Sequence, residues 1–171
     1  MPEADRVALF EDRLRHYDAR PIHVAREMAD EIAEILRSRA KTKLVVAAGF
    51  SNDWLPAGFE FRRDDGLSKT ELDGYEGAVT SCTLGIAVTG TVVLESSPAQ
   101  GRRATALVPD YHLCVLRRDD IIETVPEAIR RLEPIKNRPL TFFSGPSATV
   151  DIEMTRIQGV HGPRTLDILI I

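Results

Sequence analysis

The sequence predicts an α/β fold: a mainly parallel sheet with helices on both faces, preceded by N-terminal helices. Three observations carry this. Residues 43–48, Lys-Leu-Val-Val-Ala-Ala, form a continuous valine-rich apolar run of the kind buried on both faces of a parallel sheet. Strand-like runs then alternate with helix-like segments. The chain closes on a strand, a turn, a helix and a last strand. These patterns divide it into an N-terminal helical extension, 1–40, and an α/β domain, 41–171.

In the extension, Val7, Leu9, Phe10, Leu14 and Tyr17 recur at helical spacing among charges. Pro21 interrupts that helix because the residue before proline is pushed out of the helical region. A second helix is expected over 22–40, with Ala25, Met28, Ala29, Ile32, Ile35 and Leu36 as its stripe. These two helices leave room for a homodimer interface. His16 and His23 stand among charged neighbours and are expected at the surface. After the strand at 43–48 comes a loop, 49–58, that carries the single tryptophan, Trp54, together with Asn52 and Asp53. It either faces a ligand or is pinned by a buried Trp54.

A helix at 67–74 and a strand at 77–82 follow. The run 84–94 contains Gly85 and Gly90, so a neighbouring backbone or a ligand approaches closely there, and Thr89-Gly90-Thr91 is either a turn or a binding edge. A hairpin partner is expected at 104–108, beyond turn residues 96–102. Tyr111 to Leu116 reads as an interior strand with His112 and Cys114 on one face. No third ligand type lies nearby, so no metal site is expected. Asp119-Asp120 cap a helix over 121–132, whose regular part Pro126 shifts to begin near Val125. The strand 140–143 then leads into a Gly-Pro-Ser turn and a helix ended by Gly159, before a final strand at 166–171.

With 171 residues the chain suits one domain that buries about two-thirds of its unfolded surface. Its net charge of −4 gives no electrostatic case for nucleic acid, and Arg102-Arg103 and Arg130-Arg131 read as solvated pairs. No run approaches the roughly 20 apolar residues of a membrane span, and the N-terminus lacks a signal-peptide pattern. Cys82 and Cys114 are isolated in sequence, which excludes an iron–sulfur motif or disulfide framework in this chain and suits the cytoplasm. No cofactor is expected in the chain itself.

The corner at 144–163 holds the candidate chemistry. Gly145 and Pro146 shape the turn, and the Ser147 and Thr149 hydroxyls with adjacent backbone N–H groups can bind an anion at the start of the expected helix. If the strand before it is parallel, the corner lies at the carboxyl edge of the sheet, where α/β proteins gather ligands. Asp151 and Glu153 oppose a highly charged anion; they fit as caps, as arginine partners or as an acid–base residue. His161, in Gly159-Val160-His161-Gly162-Pro163, is suited to proton transfer or anion binding. Catalytic candidates are thus His161, Asp151 and Glu153. Ligand-binding candidates are Thr89, Gly90, Thr91, Gly145, Pro146, Ser147, Thr149, Gly159, His161 and Gly162.

The segments Ser144-Gly145-Pro146-Ser147-Ala148-Thr149-Val150-Asp151-Ile152-Glu153 and Gly159-Val160-His161-Gly162-Pro163 resemble the LUD-domain family, in its lactate-utilisation protein C branch. The likeness extends upstream through Leu107-Val108-Pro109-Asp110-Tyr111-His112 and Gly85 to Thr91. It implies a fold similar to the ribose-phosphate isomerase, glucosamine-phosphate deaminase and CoA-transferase group. It also implies a role in oxidising lactate to pyruvate beside separate iron–sulfur partner subunits, which would carry the clusters. The family often has an acidic residue where this chain has Val88, so no catalytic role transfers to that position. Two functions follow: an accessory subunit of a lactate-oxidising complex, or a stand-alone enzyme or sensor for a small carboxylated or phosphorylated metabolite. In a third reading, both loops only brace the last strand.

Overall fold

The structure is a computed structural model and describes residues 1–150, 156–158 and 162–171. Its elements in chain order are α1 Glu3–His16, β1 Arg20–His23, α2 Met28–Ser38, β2 Lys43–Ala47, β3 Glu60–Asp64, α3 Lys69–Asp73, β4 Gly77–Ser81, β5 Leu84–Ile86 and β6 Thr91–Glu95. They continue with α4 Arg103–Leu107, β7 Tyr111–Leu116, β8 Ile121–Ile122, α5 Val125–Leu132, β9 Leu140–Phe143, β10 Ala148–Val150, β11 Arg156–Gln158 and β12 Thr165–Ile170.

The central sheet has six strands in the order β1-β12-β7-β4-β2-β3, and every neighbouring pair is parallel. Alternation along the strands sorts their side chains onto two faces. Leu44, Val46, Val79, Leu113, Val115 and Leu169 face a core shared with Ile32, Ile35 and Leu36 of α2. On the opposite face, Cys114, Leu116, Ile168 and Ile170 meet Phe10 and Leu14 of α1, while Val45 and Ala78 meet Leu72 of α3. A second sheet, β8-β5-β6-β9, turns Val92 and Leu94 toward the α1 core and Leu84, Ile86 and Val93 toward Ala128 and Leu132 of α5. The mainly parallel α/β architecture is as the sequence predicts.

Several elements differ from expectation. Arg20–His23 is a strand, paired parallel with β12 from Arg20↔Asp167 to His23↔Ile170. The extension 1–40 therefore supplies an edge strand of the central sheet, and the second helix starts at Met28 instead of 22. Asp167 accounts for this local choice. Its carboxylate is fully buried, and it accepts hydrogen bonds from Arg20 Nε at 3.0 Å, from Tyr111 Oη at 2.8 Å and from the Arg39 guanidinium. The Arg20 bond ties the edge strand to β12 at the residue it pairs with.

Residues 103–107 form α4, not the expected strand. Alanine and leucine favour helix, and Thr105 gains a hydrogen bond to the buried Asp64 carboxylate from that conformation. β3 was not anticipated, because its sequence, Glu-Phe-Arg-Arg-Asp, is charged as edge strands often are. Ile121–Ile122 is a short strand, and α5 starts at Val125 with proline in its first turn, as expected. His16 and His23 are exposed, as expected.

Candidate functional site

The site begins where β9 leaves the small sheet. β9 is antiparallel to β6, with Val92↔Phe143 and Glu95↔Leu140 as the ends of the register. The chain then reverses through Ser144, Gly145 and Pro146. Gly145 has φ +80°, and a Cβ placed on it would lie 2.6 Å from Tyr17 Cβ. The turn is thus seated on the residue that follows α1, and the close approach requires glycine.

The second loop meets this turn directly. Ser147 N donates to Pro163 O at 2.8 Å, and a Cβ on Gly162 would lie 3.3 Å from Ser147 Cβ. Arg164 N donates to Asp110 O at 2.8 Å, which fixes the loop to the start of β7. Between these loops, α4 and β9 lies a cleft of about 480 Å³. Leu107, Leu140, Phe143 and Pro163 contribute apolar walls, and Arg103, His112, Thr141, Ser144 and Ser147 contribute polar groups. Among the described residues no carboxylate lines it.

Charge and hydrogen bonding define what such a cleft accepts. Arg103 supplies the cation, and its guanidinium also donates to Leu140 O at 3.3 Å. His112 is 1% exposed, with Nε2 and Thr80 Oγ1 hydrogen bonded at 2.8 Å and its ring 5.5 Å from that of Phe143. Burial lowers its pKa to about 4, so the imidazole is neutral at pH 7 and adds no charge to the wall. A chain of hydroxyls reaches the rim: Thr89 Oγ1 to Thr91 Oγ1 at 2.7 Å, and Thr91 Oγ1 to Ser144 Oγ at 2.7 Å. One guanidinium, several hydroxyls and an apolar wall suit a small anion with a carbon skeleton.

The predicted residues fall into four groups. Gly145, Pro146, Ser147 and Gly162 come together around the cleft. Thr89, Gly90 and Thr91 stand back from it: Gly90, at φ +60°, is pressed against Arg13 of α1, where an added Cβ would lie 2.7 Å from Arg13 Cβ. That turn joins β5 to β6, which are antiparallel, and reaches the cleft through Ser144. Thr149 pairs with Ile157 in an antiparallel β10–β11 ladder. Asp151, Glu153, Gly159 and His161 lie outside the described residues.

Two expectations are corrected here. The helix expected after Ser147 is not what the described residues form: 148–150 and 156–158 pair as strands. The β-branched Thr149, Val150 and Ile157 favour an extended backbone. The corner also does not lie at the carboxyl edge of the parallel sheet. Pro163 precedes β12 and His112 is the second residue of β7, so the cleft opens at the amino ends of these strands.

Arg103, His112, Thr141 and Ser144 line the cleft although none is among the candidates read from sequence. The Arg102-Arg103 pair reads from sequence as a solvated face, whereas Arg102 binds the buried Asp64 carboxylate through Nε at 2.9 Å. Burial would raise the Asp64 pKa, but hydrogen bonds from Arg102, Thr105 and two backbone amides hold it below the ordinary value. In sequence His112 stands out only as a same-face neighbour of Cys114. Only the fold brings Arg103 and His112 to β9, so no local signal marks them. Cys82 and Cys114, isolated in sequence, are neighbours, and burial together with the Cys114 thiol pushes the Cys82 thiol well above its ordinary pKa. Among the described residues no group of three or more metal-ligating side chains converges.

Comparison with known proteins adds to this geometry. A family model described as the LUD domain matches residues 7–171. The chain is 42% identical over 166 residues to Lactate utilization protein C of Deinococcus radiodurans, across 95% of this chain and 77% of that protein. It is 30% identical over 106 residues to Lactate utilization protein C of Shouchella clausii, across 59% of this chain and 46% of that one. Several matches thus span about half of the relative's length. A crystal structure of a DUF162-family protein from Deinococcus radiodurans superposes with a TM-score of 0.85 at 36% identity, covering 99% of this chain and 98% of that one.

Proposed function

This chain belongs to the LUD-domain family, and on that premise we propose that it serves lactate utilisation as an accessory subunit, in company with separate iron–sulfur proteins that oxidise lactate to pyruvate. The observation that carries this is the 42% identity to a protein named for lactate utilisation, sustained over 95% of this chain. In this reading the electron-carrying clusters belong to the partners. The chain's own contribution is the cleft between Arg103 and Ser147, which binds a small carboxylated or phosphorylated metabolite.

The chemistry of the cleft supports that role. An arginine can hold a carboxylate through two parallel N–H donors, and the Ser144 and Ser147 hydroxyls lie on the same lining. Neutral His112 lines the wall without competing charge. The role is binding and positioning, and no bond-making step is assigned to these residues.

Two measurements test the proposal. Size-exclusion chromatography of the chain mixed with candidate iron–sulfur partners is expected to give a co-eluting complex. Thermal-shift screening of hydroxy acids, keto acids and sugar phosphates is expected to find a stabilising ligand whose effect is lost in Ser147→Ala and Arg103→Ala. Failure to associate would refute the partner role. A hit untouched by both substitutions would move the ligand away from this cleft.

A further inference from the structure

We infer that a second cavity, over the carboxyl ends of β2, β4 and β7, is a binding site for a compact monocarboxylate held by Arg117. It is separate from the Arg103–Ser147 cleft and independent of the proposal made for it. The argument begins with topology. β2 lies between β3 and β4 in the central sheet, so the chain leaves β2 toward one side and returns on the other. Loops leaving such a reversal diverge and open a crevice at the carboxyl edge, where α/β folds hold their ligands.

Here the crevice is built and only partly covered. Gly49-Phe50-Ser51 leave β2, Ser81-Cys82 leave β4 and Arg117 follows β7. The 96–101 loop crosses over them: Gly49 N donates to Pro98 O at 2.6 Å, and Ser81 Oγ donates to Ala99 O at 3.2 Å. Beneath this strap a cavity of about 230 Å³ remains, lined by Ser51, Trp54, Ser81, Cys82 and Arg117 among others. The Phe50 and Trp54 rings, in edge-to-face contact at 5.7 Å, stiffen one side.

The lining selects charge and size. Among the described residues the Arg117 guanidinium and the Ser51 hydroxyl have no hydrogen-bond or ion-pair partner. The carboxylate on the lining, Asp120, is already paired with Arg131. A lining that combines the unpaired Arg117 with two serines and an indole matches a single carboxylate on a short carbon skeleton, with the Ser51 and Ser81 oxygens available to a hydroxyl or keto group. A multiply charged phosphate would leave charge uncompensated beside Asp120.

Trp54 gives the site its own reporter. It is the single tryptophan of the chain and lines this cavity, whereas the Arg103–Ser147 cleft has no tryptophan on its lining. Intrinsic fluorescence of the intact chain is followed while acetate, L-lactate, pyruvate and inorganic phosphate are titrated separately. A saturable change is expected with at least one of the three monocarboxylates. It should weaken at least about tenfold in Arg117→Ala and Arg117→Gln, the cost of losing a charge-assisted hydrogen-bond pair, and keep its affinity in Ser147→Ala. Arg117 is exposed, so both variants should melt like the wild type, and agreement between them separates lost binding from a local fault. The inference is overturned if no monocarboxylate saturates, if phosphate alone does, or if the Arg117 variants bind as tightly as the wild type. Loss of the response in Ser147→Ala would also overturn it, by tying the signal to the other cleft.

Discussion

Replacing Gly145 by alanine should destabilise the fold, and a matched substitution at Gly58 separates the two causes. Both glycines have positive φ, +80° and +88°, but an added Cβ at Gly58 meets nothing within 4 Å, whereas at Gly145 it meets Tyr17 at 2.6 Å. The left-handed backbone costs a non-glycine residue about 1–2 kcal/mol. Forcing a methyl group into packed structure adds about 1–3 kcal/mol. Gly58→Ala should therefore lose about 1–2 kcal/mol and Gly145→Ala about 2–5 kcal/mol, as urea denaturation at pH 7 would measure. In a protein of this size the larger loss lowers Tm by at least about 4 °C. Gly145 also lines the cleft, so ligand-induced stabilisation should fall in Gly145→Ala and stay intact in Gly58→Ala. Equal destabilisation of the two variants would refute the seating of the corner on the end of α1.

Further substitutions probe the other structural claims. Asp167→Asn leaves the part-exposed Arg20 and Arg39 facing a neutral amide in the sheet, and should cost roughly 1–3 kcal/mol by chemical denaturation. The pKa of His112 falls from 6.5 to about 4 on folding, so the unfolded chain binds the proton more tightly. Its contribution to stability is complete above pH 6.5 and is lost as pH falls toward 4, to a total of roughly 3 kcal/mol. His112→Gln should flatten that part of the stability–pH profile relative to the wild type. Ser68→Ala breaks the capping box in which Ser68 Oγ accepts from Glu71 N at 3.2 Å and Ser68 N donates to Glu71 at 2.7 Å. It should cost about 1 kcal/mol.

The architecture was legible where burial is two-sided. The valine-rich run at 43–47 and the apolar run 111–116 read as interior strands because each is covered on both faces, and both are interior in the sheet. Arg20–His23 and Glu60–Asp64 were not legible. They are edge strands stabilised by pairing across the chain, with Arg20 tied to Asp167 147 residues away. Val150 and Ile157 fit a helical spacing as well as a strand pairing, and β-pairing is what forms. At the site, the Gly-Pro-Ser and Gly162-Pro163 motifs were legible because glycine and proline mark unusual backbone. Arg103, His112 and Arg117 were not, since an arginine or histidine carries no local sign of the cavity it will line.

Lactate-dependent dye reduction by the reconstituted iron–sulfur partners, with and without this chain, tests the proposed role most directly. A rate that depends on this chain, and falls when Ser147→Ala or Arg103→Ala replaces it, is the result the account predicts. An unchanged rate in its absence would contradict it.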